Sequence, residues 1–146
     1  MSTPQETDTD FGWALFAVVR RYRHRTDELV ADLPGGPRGY QVLLGSQQIG
    51  PKSQLALAHY LGLDRTVLTY LIDDLAAAGL VERRPDPADR RVRRVELTAR
   101  GSTVLAETRR RLRGVEDDLL APLTPAQRES LRTLLHLVAT SEDTAG

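Results

Sequence analysis

The chain has 146 residues and a mass of 16.2 kDa, the length of one domain with a core that needs no staples. It contains no cysteine, which excludes a disulfide framework, a thiolate metal site and a Cys nucleophile. Its formal net charge of +0 argues against a uniformly polyanion-binding surface, and no apolar run approaches the ~20 residues of a membrane span, so no membrane partner is expected.

Residues 1–10 are polar and are expected to be a disordered tail. The start from Met1 to Glu6 lacks the apolar core of a secretory signal, so the expected location is cytoplasmic. From Phe11 to Leu33 the apolar residues Phe11, Leu15, Val18, Val19 and Tyr22 recur at three- and four-residue steps, which predicts a helix. The run Pro34-Gly35-Gly36-Pro37 stops it. A second helix is expected from Tyr40 to Ser46, broken at Gly50-Pro51.

Ser53 is a natural N-cap for a short helix from Gln54 to Tyr60, closed by Gly62. Asp64 caps the next, from Arg65 to about Ala78, closed by Gly79. Leu80–Arg84 and Val92–Leu97 are short β-prone runs around the polar loop 85–91, which reads as a hairpin with a long tip. Thr98 caps a long helix to about Ala121, with Val104, Leu105, Thr108, Leu112, Val115 and Leu119 as its apolar stripe. Pro122 interrupts it. Thr124-Pro125 opens a last helix that carries Leu131, Leu134, Leu135 and Val138 on one face.

Two short helices joined by a tight turn and followed by a hairpin describe a winged helix-turn-helix. In the first helix Leu55, Ala56 and Leu61 are expected to point inward, with Ala58 allowing close packing. In the second, Val67, Leu68, Leu71, Ile72 and Leu75 form the buried stripe. The opposite face shows Arg65, Thr66, Thr69, Tyr70 and Asp73, whose hydroxyls, methyls and guanidinium suit phosphate oxygens and base edges. Asp73 and Asp74 repel phosphates, so the N-terminal half of this helix is the part expected to enter a groove.

The charge distribution points the same way. Residues 52–113 hold 13 basic and 8 acidic groups, while residues 1–51 hold 5 and 6 and residues 114–146 hold 2 and 6. The middle is therefore a basic block between acidic ends. Within it, Arg83, Arg84, Arg90, Arg91, Arg93 and Arg94 concentrate six guanidinium groups on the hairpin, the residue type that gains most in a narrow minor groove. Asp89, two residues before Arg91, is placed to accept a hydrogen bond from a guanidinium and aim the tip.

The stretch from Gln54 to Gly101 resembles the MarR (multiple antibiotic resistance regulator) family. The family's G-L-V-x-R falls on Gly79–Arg83, its D-x-R on Asp89–Arg91 and its L-T-x-x-G on Leu97–Gly101. Asp64 stands where the family often has Ser or Thr, and Asp74 where it usually has Arg or Lys. The resemblance implies a mostly α fold with a small β-hairpin wing, in which 51–98 form the winged helix-turn-helix. Residues 11–50 and 99–141 would be dimerisation and scaffold helices of a single domain spanning 11–146. It also implies a homodimer on a palindromic double-stranded DNA operator, acting as a regulator, most often a repressor, released by a small and often aromatic anion. Carried over by position, the DNA-binding set is Ser53, Gln54, Arg65, Thr66, Thr69, Tyr70, Arg83, Arg84, Asp89, Arg90 and Arg91.

Independently of that resemblance, Phe11, Trp13, Leu15, Phe16, Leu131, Leu134, Leu135 and Val138 are more apolar surface than a small lobe buries, and two-fold pairing would cover them. Trp13, Phe16 and Tyr40 are the candidates for lining an effector pocket, with Tyr22 and His24 beside them. His24, His59 and His136 lack metal-ligand spacing, and no cofactor is expected. No nucleophile elbow, zinc-protease or P-loop pattern occurs, so enzymatic activity is not expected. The run Arg109-Arg110-Arg111 with Arg113 is expected to be a solvated face paired with Glu107, Glu116 or Asp117. The alternative for the whole chain is a winged-helix protein-interaction module without sequence-specific DNA binding.

Overall fold

The computed structural model describes residues 10–142. Nine elements follow in chain order: α1 (Phe11–Val30), α2 (Pro37–Ile49), β1 (Lys52–Ser53), α3 (Gln54–Leu61), α4 (Arg65–Ala77), β2 (Val81–Pro85), β3 (Arg93–Leu97), α5 (Ala99–Leu119) and α6 (Pro125–Thr140). The expected tail falls mostly outside the described residues. Its last member, Asp10, caps α1 by accepting a 2.7 Å hydrogen bond from the Trp13 amide.

The helix boundaries follow local chemistry. The first helix ends at Val30 rather than Leu33, because tight turns from Leu33 to Val30 and from Gly36 to Leu33 take over the backbone hydrogen bonds. The second begins three residues earlier than expected, at Pro37, whose fixed φ suits a first helical position and whose missing N–H costs nothing there. It also runs on to Ile49. The two-residue strand β1 was not expected from the sequence; Lys52 and Ser53 pair antiparallel with Val95 and Arg94. This gives a three-stranded antiparallel sheet in the order β1-β3-β2.

The core lies where α2, α3, α4, the sheet and α5 meet. Val42, Leu43, Leu57, Leu68, Ile72, Leu75, Val95 and Leu105 are its fully buried members. Two glycines are dictated by close approach. A Cβ on Gly39 would lie 1.8 Å from the Pro34 carbonyl oxygen, and one on Gly101 would lie 1.9 Å from that of Leu80. The last helix, α6, has no buried residue. It is tied to the body by ion pairs from Arg132 to Glu116 and Asp117 and by hydrogen bonds from Arg128 to the carbonyls of Leu120 and Leu123.

Candidate nucleic-acid interface

The reading element is built by caps. The Ser53 hydroxyl accepts from the Ala56 amide at 3.1 Å and starts α3. Gly62, at φ 64, turns the chain after Leu61. The Asp64 carboxylate then accepts from the amides of Thr66 and Val67 and starts α4. Leu68, Leu71, Ile72 and Leu75 bury one side of α4. Arg65, Thr66, Tyr70, Asp73 and Asp74 are left exposed, with Thr69 half-buried beside them.

One expectation for α3 is overturned. Leu55 and Ala56 do not point inward; Leu55 is 59% exposed. The cap at Ser53 sets the helix phase so that Leu57, Ala58 and Leu61, at one- and four-residue steps, face the core. Leu55 instead sits with Ser53, Gln54, Arg65, Val92 and Arg93 in a shallow depression of about 260 Å³ between the reading helix and the wing.

The six wing arginines separate into two groups. Strand pairing puts Arg83 opposite Val95, and side chains alternate along a strand. Arg83 therefore shares the inner face with Val81, Val95 and Leu97, and meets Asp73 of α4 at 2.6 Å. Arg84 is on the outer face, held by Glu82 at 2.7 Å and Glu96 at 3.6 Å. Arg94 donates to the Pro51 carbonyl at 2.9 Å. Arg90, Arg91 and Arg93 are exposed at the tip and make no ion pair among the described residues.

The Asp89 carboxylate does aim the tip, but not through a guanidinium. It accepts from the backbone amide of Arg91 at 3.1 Å, while the Val92 amide returns to the Asp89 carbonyl at 3.0 Å. This is an Asx turn, in which a short carboxylate reaches a backbone donor two residues on. The Asp86 amide closes the wing on the Val92 carbonyl at 2.9 Å. The Arg91 side chain is thus carried on an ordered turn and remains free to reach outward.

Of the DNA-binding candidates, Arg65, Thr66, Tyr70, Arg90 and Arg91 are exposed and make no ion pair among the described residues. Gln54, Thr69 and Arg83 bond to one another, Arg84 is paired on the wing's outer face, and Ser53 and Asp89 serve as cap and turn residues. Arg93, which the positions carried over from the family omit, is exposed with them, and its place in the six-arginine cluster is the sequence signal for it.

A groove of about 670 Å³ lies between α1, α2 and α5, lined by Tyr22, Thr26, Arg38, Tyr40, Leu44 and Leu112. It continues past the same two tyrosines into a second space of about 410 Å³ with Arg109, Arg113, Glu116 and Arg132. Burial holds the Tyr22 phenol above its usual value, with Glu116 adding to it. Tyr40 is raised by burial first, then by Tyr22 and Glu116, against the opposing Arg109. Tyr40 lines this groove. Trp13 and Phe16 do not: they project from α1, 71% and 72% exposed. His24 does not line the groove either.

On α5, Arg111 pairs with Glu107 at 2.9 Å, and Arg109 donates to Gln47 at 3.3 Å. Glu116 and Asp117, expected as partners for that arginine run, are taken by Arg132 of α6. Among the described residues no group of three His, Asp or Glu is placed to hold a metal ion, and no helix is long and apolar enough to cross a membrane.

A capped helix pair with a sharp turn, followed by a two-stranded arginine-tipped ribbon, defines a winged helix-turn-helix protein. Residues 40–92 match the model of the MarR family. The chain superimposes on a probable transcriptional regulator from Pseudomonas aeruginosa with 28% identity and a TM-score of 0.69, covering 90% of this chain and 98% of that one. It superimposes on the transcriptional repressor CouR bound to a 23-mer DNA duplex with 28% identity and a TM-score of 0.76, covering 95% and 99%. The apo form of wild-type MarR from E. coli shares the fold at 24% identity, with a TM-score of 0.74 and coverage of 89% and 97%. The chain is thus similar to the MarR family over residues 40–92 and shares the fold of these transcriptional regulators along most of its length.

Proposed function

We propose that the protein is a homodimeric, sequence-specific DNA-binding regulator that represses transcription and is released by a small aromatic anion. The observation that carries the DNA-binding reading is the depression that brings Arg65 of α4 together with Arg93 of the wing, with Thr66 and Tyr70 exposed on the same helix and Arg90 and Arg91 exposed at the wing tip without an ion pair among the described residues. The helix start offers donors and methyls to a major groove, and the ribbon tip offers guanidinium groups to an adjacent minor groove. The DNA-bound repressor of the same fold supports this docking.

Dimerisation is supported by two uncovered apolar faces. Phe11, Trp13 and Phe16 on α1 and Leu134, Leu137 and Val138 on α6 are each more than half exposed in the single chain. A two-fold pair covers both and spaces two reading helices about 34 Å apart, one turn of DNA. The operator is then palindromic. The effector reading is supported by the groove itself, where half-buried tyrosines and Leu44 and Leu112 suit an aromatic ring and Arg38, Arg109 and Arg113 suit its negative group. The protein acts by binding in the cytoplasm and catalyses no reaction.

Selection of bound duplexes from a random pool tests the reading. The expected product is a palindromic consensus whose affinity falls steeply with salt, as release of counterions requires. Absence of any enriched duplex, with salt-insensitive capture of a protein instead, would replace it with the interaction-module reading.

A further inference from the structure

Arg83 lies in the middle of a network that joins the wing to both helices of the reading element. Its Nη2 pairs with Asp73 Oδ1 at 2.6 Å and donates to the Thr69 carbonyl at 3.3 Å. Its Nε donates to Gln54 Oε1 at 3.4 Å. The amide of Gln54 therefore accepts on one side, which directs its Nε2 at Thr69 Oγ1, 2.6 Å away. Thr69 Oγ1 in turn donates to the Arg65 carbonyl at 2.9 Å. The guanidinium side chain is only about a quarter exposed, at 26%, and its planar fork makes three bonds of fixed direction.

We propose that Arg83 is a positioning residue that sets which chemical group α4 presents to a base, and that it is not a phosphate contact. By orienting Gln54, it turns the Thr69 hydroxyl toward the protein. The hydroxyl is then occupied as donor and as acceptor, and the methyl group is the part of Thr69 best suited to a base contact, where a thymine methyl is its natural complement. Asp73 completes the device. A carboxylate on the reading face repels phosphates, yet here its charge is neutralised by Arg83 and serves to hold the fork in place.

The inference rests on the DNA-binding reading and makes an outcome for Asp73→Ala, which removes the acceptor as well as the charge, that simple electrostatics does not. If Asp73 were a mere repulsive neighbour, removing its charge would tighten binding to every duplex. As the anchor of Arg83, its loss releases the Gln54 amide and the Thr69 hydroxyl. Discrimination between the selected duplex and a variant with the base pair facing Thr69 exchanged then falls roughly tenfold. Arg83→Gln is expected to have the same effect with an unchanged slope of log affinity against log salt, and the double variant is expected to be no worse than either single. Arg83→Lys keeps the charge but not the fork, and is expected to keep affinity for random duplex while losing discrimination.

The experiment measures anisotropy of labelled selected, exchanged and random duplexes over a salt series, beginning with the parent. The parent's own binding and slope settle the DNA reading separately from these variants. Tighter binding of Asp73→Ala with discrimination intact would overturn the proposal. So would an Arg83→Gln variant that keeps discrimination but loses about one unit of salt slope, the mark of a phosphate contact. A readout free of DNA guards against loss of fold: the Gln54 side-chain amide protons are expected to exchange slowly in the parent and fast in Asp73→Ala. Unchanged exchange would also overturn it.

Discussion

The carbonyl oxygen of Leu80 faces the Cα of Gly101 so closely that a methyl group there would lie 1.9 Å from it. The contact is one part of a clasp between the start of the wing and the start of α5. The Thr98 hydroxyl donates to the Gly79 carbonyl at 2.6 Å and accepts from the Gly101 amide at 3.0 Å, and the Thr98 amide donates to the Leu80 carbonyl. Gly101→Ala is therefore expected to lower stability by about 3 kcal/mol or more, since backbone rather than a flexible side chain has to move. Gly114→Ala, exposed on the same helix with nothing within 4 Å, is expected to raise it by about 0.5–1 kcal/mol. Urea unfolding of both variants checks the pair, and equal effects would contradict the clasp.

Arg91 stands on a turn that its own amide makes with Asp89. Under the proposed function, Arg91→Ala is expected to weaken operator binding by about 1–3 kcal/mol, with the oligomeric state unchanged. Asp89→Asn keeps an acceptor for the amide and is expected to bind within about threefold of the parent. Asp89→Ala loses the turn and is expected to fall most of the way to Arg91→Ala. Titration of a labelled operator separates the three; an Arg91→Ala protein that binds like the parent contradicts the wing assignment.

The helix-turn-helix and the hairpin were legible because their signals are local. Ser53, Asp64, Thr98 and Thr124 all act as the caps their residue types suggest, and Gly62 and Gly79 take positive φ at the turns. What the sequence hid was pairing at a distance. Six arginines in twelve residues look alike, yet alternation along β2 turns Arg83 inward and Arg84 outward. That difference was readable from Val81, two residues before Arg83, once a strand was accepted there. Leu55 is apolar in a short helix whose phase only the Ser53 cap fixes, and that phase turns it outward. Trp13 and Phe16 were assigned to the pocket as aromatics near α1, and no local pattern distinguishes a groove wall from an uncovered face.

The two half-buried tyrosines give the groove a pH signature. Burial is the main cause of the upward shift in both, and Glu116 adds to each. A folded-state value above the unfolded one means that the neutral phenol is favoured in the fold. That contribution to stability is fully present below about pH 10 and is lost as pH rises through the folded values. Alkaline titration followed by phenolate absorbance is expected to show a late-ionising component that shrinks in Tyr22→Phe and again in Tyr22→Phe/Tyr40→Phe. The double variant is also expected to lose stability less steeply above pH 10. A titration identical to the parent's would contradict the burial of these phenols.

Val138, 72% exposed on α6, and Phe16, 72% exposed on α1, belong to faces that the single chain leaves in water. The helix α6 buries no residue of its own, and in the proposed dimer a second subunit packs on it. Val138→Glu and Phe16→Glu place a charge in that contact while leaving the core of Leu43, Leu68 and Leu105 intact. Under the proposed function, each is expected to sediment as a monomer at concentrations where the parent is expected to pair, with the helical signal of α2 to α5 retained. Because two half-sites are then engaged independently, operator affinity is expected to fall by about a hundredfold or more. The salt slope is expected to halve, since one lobe neutralises about half the phosphates. A variant that stays dimeric with parental affinity would place the subunit contact elsewhere on the molecule.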